Sequence, residues 1–140
     1  MTRTIVESKT KTAIIGFDQP FCVIGERINP TGRKILAEEL ERDDFSRVEA
    51  DAIAQAMAGA NILDVNSGAV FSNKMAEDPR YADNNFVEPM LMKALIERVQ
   101  AVTDLPLCID SSVPGALENG LAAAEGRPLL NSVTGEEERL

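Results

Sequence analysis

Leu107-Cys108-Ile109-Asp110-Ser111-Ser112 decides the fold, because it opens as an apolar run too short for a helix and closes in polar residues suited to a turn. Pro114 then stands where the first turn of a helix tolerates it, and the spacing of Leu117 and Leu121 predicts that this helix runs to Gly126, with Ser111 and Ser112 as candidate caps. The unit is a strand, a polar tip and a helix. Reading outward, it recurs. Upstream, Phe86, Met90, Leu91, Ala94, Leu95, Val99 and Val102 fall at helical steps behind a candidate N-cap, Asn85. Ile62-Leu63-Asp64-Val65-Asn66 is another short strand with a polar end. It is fed by a helix through Phe45, Val48, Ala52, Ile53, Ala56, Met57 and Ala60, with Asp43 or Asp44 as N-cap and Gly59 near its end. Cys22-Val23-Ile24-Gly25-Glu26-Arg27 reads as a strand that leads into the turn-rich Asn29-Pro30-Thr31-Gly32 and a short helical piece near Lys34 to Leu40. Downstream, Pro128-Leu129-Leu130-Asn131 is the last such strand and ends at Ser132.

Apolar strands alternating with helices belong to a parallel sheet covered by helices and joined by right-handed crossovers, an α/β fold. A doubly wound sheet and a barrel segment both satisfy that pattern. Two features favour the barrel. Every strand ends in polar residues (Glu26-Arg27, Asp64-Val65-Asn66, Asp110-Ser111, Asn131-Ser132), as where one active-site rim is built from successive strand ends. The chain also stops at Gly135-Glu136-Glu137-Glu138-Arg139-Leu140, where the acidic first turn of another helix is expected, so it reads as truncated at the C-terminus. A complete barrel takes ~250 residues, and 140 would supply its first half. Residues 4–7 and 12–16 flank a polar Ser8-Lys9-Thr10-Lys11 connection and predict an N-terminal β-hairpin. The expected organisation is a hairpin over 1–17 and βα units over 21–140. Residues 67–84, with Asp78-Pro79, form a long connection, either a substrate-facing excursion or a mobile segment. The two outer strands would be open edges through which two copies can pair.

Composition narrows the chemistry. With 44% apolar residues the chain can bury a core, and 23 acidic against 14 basic side chains give a net charge of −9, which disfavours nucleic acid and anionic membrane surfaces as partners. No run approaches the ~20 apolar residues that span a bilayer, and no secretory leader pattern opens the chain. Cys22 and Cys108 lie in separate apolar runs and are expected as buried thiols, which together point to a reducing, cytoplasmic setting. Histidine is absent, so the commonest general base and zinc ligand are unavailable, and no metal site is expected. Gly32-Arg33-Lys34 lacks the spacing of a phosphate loop.

The strand tips therefore hold the candidates. Asp64 and Asn66 are two apart on a strand and face the same side. Each tip residue also has a plainer role: Asp110 as a turn or cap, Asp64 and Asn66 as turn formers, Asn131 as a partner for rim backbone, Glu26 and Arg27 as partners of neighbours inside the barrel. The acidic run at 136–138 serves most simply as a solvated helix start.

Four stretches in this order, Ile24-Gly25-Glu26-Arg27-Ile28-Asn29-Pro30-Thr31-Gly32, Leu63-Asp64-Val65-Asn66-Ser67-Gly68, Leu107 to Ser112, and Leu130-Asn131-Ser132-Val133-Thr134-Gly135-Glu136, resemble the pterin-binding family. That family holds methyltetrahydrofolate:corrinoid methyltransferases, the folate domain of cobalamin-dependent methionine synthase, and dihydropteroate synthase. The resemblance covers the N-terminal half of the family's barrel and is nearer to the methyltransferases, since the Asn-x-Thr-x-Asp-Ser-Phe stretch usual in the synthases is missing after the first barrel strand. It implies that the intact domain moves a methyl group from methyltetrahydrofolate, or a related reduced pterin, to a corrinoid on a partner protein or domain.

A pterin presents a ring N–H beside an amino group, and the two oxygens of a carboxylate match that fork. The resemblance assigns this contact to Asp110 and an amide contact at the ring edge to Asn131. Asp64 and Asn66 extend the polar floor, and Glu26, Asn29 and Ser111 at the same tips complete the expected substrate contacts. Methyl transfer needs N5 stabilised as the C–N bond breaks. The family's amide for that task lies in the second half, so no catalytic residue is assigned here and the isolated chain is expected to be inactive. The rival readings are a dihydropteroate synthase-type enzyme and a non-catalytic folate-binding or assembly module.

Overall fold

The β-branched residues on either side of Ser8 form the expected hairpin. In the computed structural model, which describes residues 2–68 and 84–131, with side chains from residue 88 in the second stretch, β1 (Arg3–Glu7) and β2 (Thr12–Gly16) pair antiparallel from Arg3 opposite Gly16 to Glu7 opposite Thr12. Ser8 closes the turn, its N–H donating to the Lys11 carbonyl at 2.9 Å and its Oγ accepting from the Lys11 N–H at 3.0 Å.

Four strands follow: β3 (Ile24–Ile28), β4 (Ile62–Asn66), β5 (Leu107–Asp110) and β6 (Leu129–Asn131), parallel and adjacent in chain order. Between them run α1 (Lys34–Glu41), α2 (Ser46–Met57), α3 (Asn84–Val102) and α4 (Pro114–Ala123). Side-chain alternation sorts the two faces of the sheet. Leu63, Val65, Leu107 and Ile109 pack with Leu36, Val48, Leu95, Val99 and Ala116 of the helices. Ile62, Cys108 and Leu129 point the other way and pack on Val6 and Ala13 of the hairpin. Strand order without reversal, with the helices packed on one face, is a barrel arrangement rather than a doubly wound one, and the hairpin seals the inner face at the strands' N-terminal end.

The seal is fastened just ahead of β6. Glu7 and Arg127 exchange backbone hydrogen bonds of 2.8 and 2.7 Å, and Gly126 makes the approach possible: its φ is +84°, and a Cβ there would lie 2.5 Å from the Glu7 carbonyl oxygen.

Several expected details shift. β3 starts at Ile24 rather than Cys22, and Cys22 is half-buried where full burial was expected; Cys108 is buried as expected. Neither Asp43 nor Asp44 is the N-cap of α2: Phe45 holds that position without a side-chain bond, while Asp44 Oδ1 accepts from the Ser46 N–H at 3.0 Å in the turn just before it and Asp43 is left-handed at φ 58°. Val48 and Ala52 are buried on α2, whereas Ile53 and Met57 of the same apolar set stay exposed. On α3 the buried stripe is Met92, Leu95, Ile96 and Val99, and Met90 is exposed. Residues 90–96 are apolar at almost every position, so periodicity alone cannot select the inward face. α4 has Pro114 in its first turn but ends at Ala123, short of Gly126, leaving Leu121 exposed. The connection containing Asp78-Pro79, the side chains of Asn85 and Phe86, and everything from Ser132 onward, including the acidic run, lie outside the described residues.

Candidate functional site

The strand register puts Asn66, Asp110 and Asn131 directly opposite one another on β4, β5 and β6, in one row at the C-terminal ends of the strands. Their side chains share the inner face with Asp64 and Cys108, which are paired one step deeper. Exposure grades along this array: Asn131 is exposed, Asn66 and Asp110 are half-buried, and Asp64 is only 4% exposed.

The carboxyl groups of Asp64 and Asp110 face each other within hydrogen-bonding reach, an arrangement that favours one proton shared by the pair. Burial, followed by the bond to Asp110 and the charges of Asp110 and Glu26, pushes Asp64 up to about 7 against a smaller opposing effect of the Cys108 thiol. Burial first, then the charge of Asp64, drives the Cys108 thiol well above its ordinary range, so it remains S–H. Asp64 thus keeps its proton to higher pH than an ordinary carboxyl and lies buried beneath the row, away from the exposed rim.

β3 contributes differently on its two sides. Its register to β4 slips between Gly25 and Ile28, and the Arg27 N–H donates to Gln55 Oε1 at 3.0 Å. Gly25 lies hard against that amide, since a Cβ would come within 2.4 Å of Gln55 Oε1. Glu26 is exposed and near enough for its charge to act on Asp64. Arg27 does not pair inside the barrel, as one sequence reading allowed: it reaches Asp51 of α2 at 3.3 Å, and Arg33 meets the same carboxylate at 2.9 Å. These bonds brace the β3 tip against the helices.

Asn29 and Asn66 both use Oδ1 to hold a turn, accepting from the Thr31 N–H at 2.9 Å and the Gly68 N–H at 2.8 Å. The turn occupies one lone pair of Asn66 Oδ1 and does not use its NH₂. Ser111 is buried; its N–H donates to the Asn131 carbonyl at 2.7 Å, its Oγ accepts from Val113 at 3.0 Å and donates to Glu88 Oε2 at 2.7 Å. Glu88, 6% exposed in the first turns of α3, is the site residue that sequence reading missed. The signal was present: Glu88 precedes Met92, Leu95 and Val99 at helical spacing, which places an acid on the buried stripe.

The structure therefore brings Asp64, Asn66, Asp110 and Asn131 together, sets Glu26 beside them, and holds Asn29 and Ser111 in the turns that follow their strands. Among the described residues no group of His, Cys, Asp and Glu is placed to hold a metal ion. The row offers a carboxylate acceptor flanked by amides on a sheet face, suited to a flat heterocycle with paired N–H donors.

Residues 25–140 match the family described as pterin binding enzyme. The chain belongs to the pterin-binding enzyme family. It is 32% identical over 115 residues to methionine synthase of Mycobacterium leprae (strain TN), covering 82% of this chain and 8% of that protein. It is 30% identical over 118 residues to methylcorrinoid:tetrahydrofolate methyltransferase of Eubacterium limosum, covering 84% of this chain and 38% of that protein. It thus spans well under half the length of either relative. Among solved structures, dihydropteroate synthase of Xanthomonas albilineans with 4-aminobenzoic acid superposes with a TM-score of 0.54 at 23% identity, over 95% of this chain and 41% of that one. That likeness concerns the fold and agrees with the strand order: the pterin-binding family member described here has the first half of a (β/α)₈ barrel, opened by a hairpin.

Proposed function

We propose that this chain supplies the pterin-holding rim of a methyltransferase working between methyltetrahydrofolate and a corrinoid protein. The observation that carries the reading is the level row Asn66, Asp110 and Asn131, with Asp110 backed by the buried acid of Asp64. In this reading Asp110 accepts from the paired N–H donors of the pterin. The NH₂ of Asn66 and the amide of Asn131 meet acceptors at the ring edge. Asp64 touches no ligand but donates to Asp110, fixing the rotamer of that carboxylate and leaving its remaining lone pairs for the ligand. Glu26 lines the approach, and the turns at Asn29 and Ser111 shape it.

The corrinoid, carried on another protein or domain, supplies the methyl-exchanging centre when bound. The names of the methionine synthase and methylcorrinoid:tetrahydrofolate methyltransferase relatives support this chemistry over pyrophosphate displacement. So does the Asn29-Pro30-Thr31-Gly32 turn after β3. Both cysteines are free thiols, which accords with a cytoplasmic setting.

Isothermal titration of the full chain separates the two chemistries. Preference for methyltetrahydrofolate over a pterin pyrophosphate is the expected result; the reverse preference rejects the methyltransferase reading.

A further inference from the structure

We propose that Glu88 is a positioning residue that locks the tips of β4 and β5 together and so sets the spacing of Asn66 and Asp110. The inference rests on the pterin-binding role of that row. Glu88 bonds the residue that follows each of the two: Ser111, next to Asp110, donates its hydroxyl to Glu88 Oε2 at 2.7 Å, and Ser67, next to Asn66, donates its hydroxyl to the Glu88 carbonyl at 3.3 Å. Its other carboxylate oxygen sits under Gly68, where a Cβ would stand 3.4 Å from Oε1. The bond from the Ser111 N–H to the Asn131 carbonyl extends the tie to β6.

Strand pairing fixes β4 and β5 only as far as Asn66 opposite Asp110, the last paired positions. Beyond them the tips need another constraint, and Glu88 provides it from α3. Ser67 and Ser111 are one residue out of step with Asn66 and Asp110, so Glu88 works from behind the row and does not touch the ligand. An acid on the buried Met92, Leu95 and Val99 stripe departs from its apolar pattern, and the bond from Ser111 gives that carboxylate a partner at the strand tip.

The test titrates methyltetrahydrofolate into the full chain and its Ser111→Ala, Glu88→Ala, Glu88→Gln and Ser111→Ala/Glu88→Ala variants, below every melting transition. Ser111→Ala and Glu88→Ala should each weaken binding by about 10- to 100-fold, the scale of a misplaced contact group. The double variant should be no worse than Glu88→Ala alone. Glu88→Gln, whose amide oxygen accepts the same hydroxyl, should stay close to wild type. If Glu88→Ala does not fold, Ser111→Ala decides. A lowered melting temperature with unchanged affinity in Ser111→Ala overturns the positioning role alone, whereas a wild-type chain that binds no reduced pterin removes the reading beneath it.

Discussion

Asp64 and Asp110 stand on adjacent strands with their carboxyl groups within hydrogen-bonding reach of each other, the deeper one almost sealed from solvent. Two acids in this relation cannot both ionise without cost, and burial decides that the proton is held toward Asp64. The inner face of this half-barrel thus changes character along its length. It is apolar where the hairpin covers Ile62 and Cys108, holds at Asp64 a carboxyl whose hold on its proton is raised by burial, and is hydrogen-bonding at the Asn66, Asp110 and Asn131 row.

The first expected outcome concerns pH. Asp64 has a folded value of about 7, above the ordinary carboxylate range, so the folded chain holds that proton more tightly than the unfolded one. Its contribution is complete below about pH 4 and is lost as the pH rises through 7. Asp64→Asn, which cannot ionise, should flatten this part of the profile. Thermal midpoints measured between pH 4 and 8 for both proteins check it; parallel curves would show that Asp64 is not the group responsible.

A second outcome separates helix propensity from packing. Gly120→Ala in the interior of α4 should gain about 1 kcal/mol from propensity. The new Cβ would, however, lie 2.7 Å from Ile109 Cγ2 and 3.0 Å from Met92 Cγ, and overpacking costs about 1–3 kcal/mol. Because Ile109 is fixed on a central strand, the packing cost should win. Denaturant midpoints should fall for the variant; an increase would mean that α4 moves freely off the sheet.

The two thiols should also part company. Cys108 is buried opposite Asp64 on the neighbouring strand, while Cys22 is half-buried ahead of β3. Burial raises both, and Cys108 the more, so alkylation of the native chain should label Cys22 first and Cys108 only on unfolding. Peptide mass mapping after brief labelling reads the order. Equal labelling would show that the hairpin does not close the inner face.

Much of this was legible in the letters because apolar strands with polar tips carry two signals at once, the sheet and its functional end. The placement of Asp64, Asp110 and Asn131 near the C-terminal ends of their strands was readable for that reason. Turn chemistry was harder to read: Asn29 and Asn66 each commit Oδ1 to the next turn, a choice set by backbone geometry after the strand. The inward face of α3 was hidden by its nearly continuous apolar run. Glu88 was hidden with it, since an acid near a helix start ordinarily reads as a solvated first turn. The burial of Asp64 was likewise a tertiary fact, because it depends on the hairpin and on the neighbouring β5.

Affinity for methyltetrahydrofolate with and without the carboxylate at position 110 tests the central claim most directly. In the full chain, Asp110→Ala should weaken binding by about 2–4 kcal/mol, the loss of a charge-assisted pair of hydrogen bonds, while the fold is retained. Binding equal to that of wild type would contradict the assignment of this rim to a pterin.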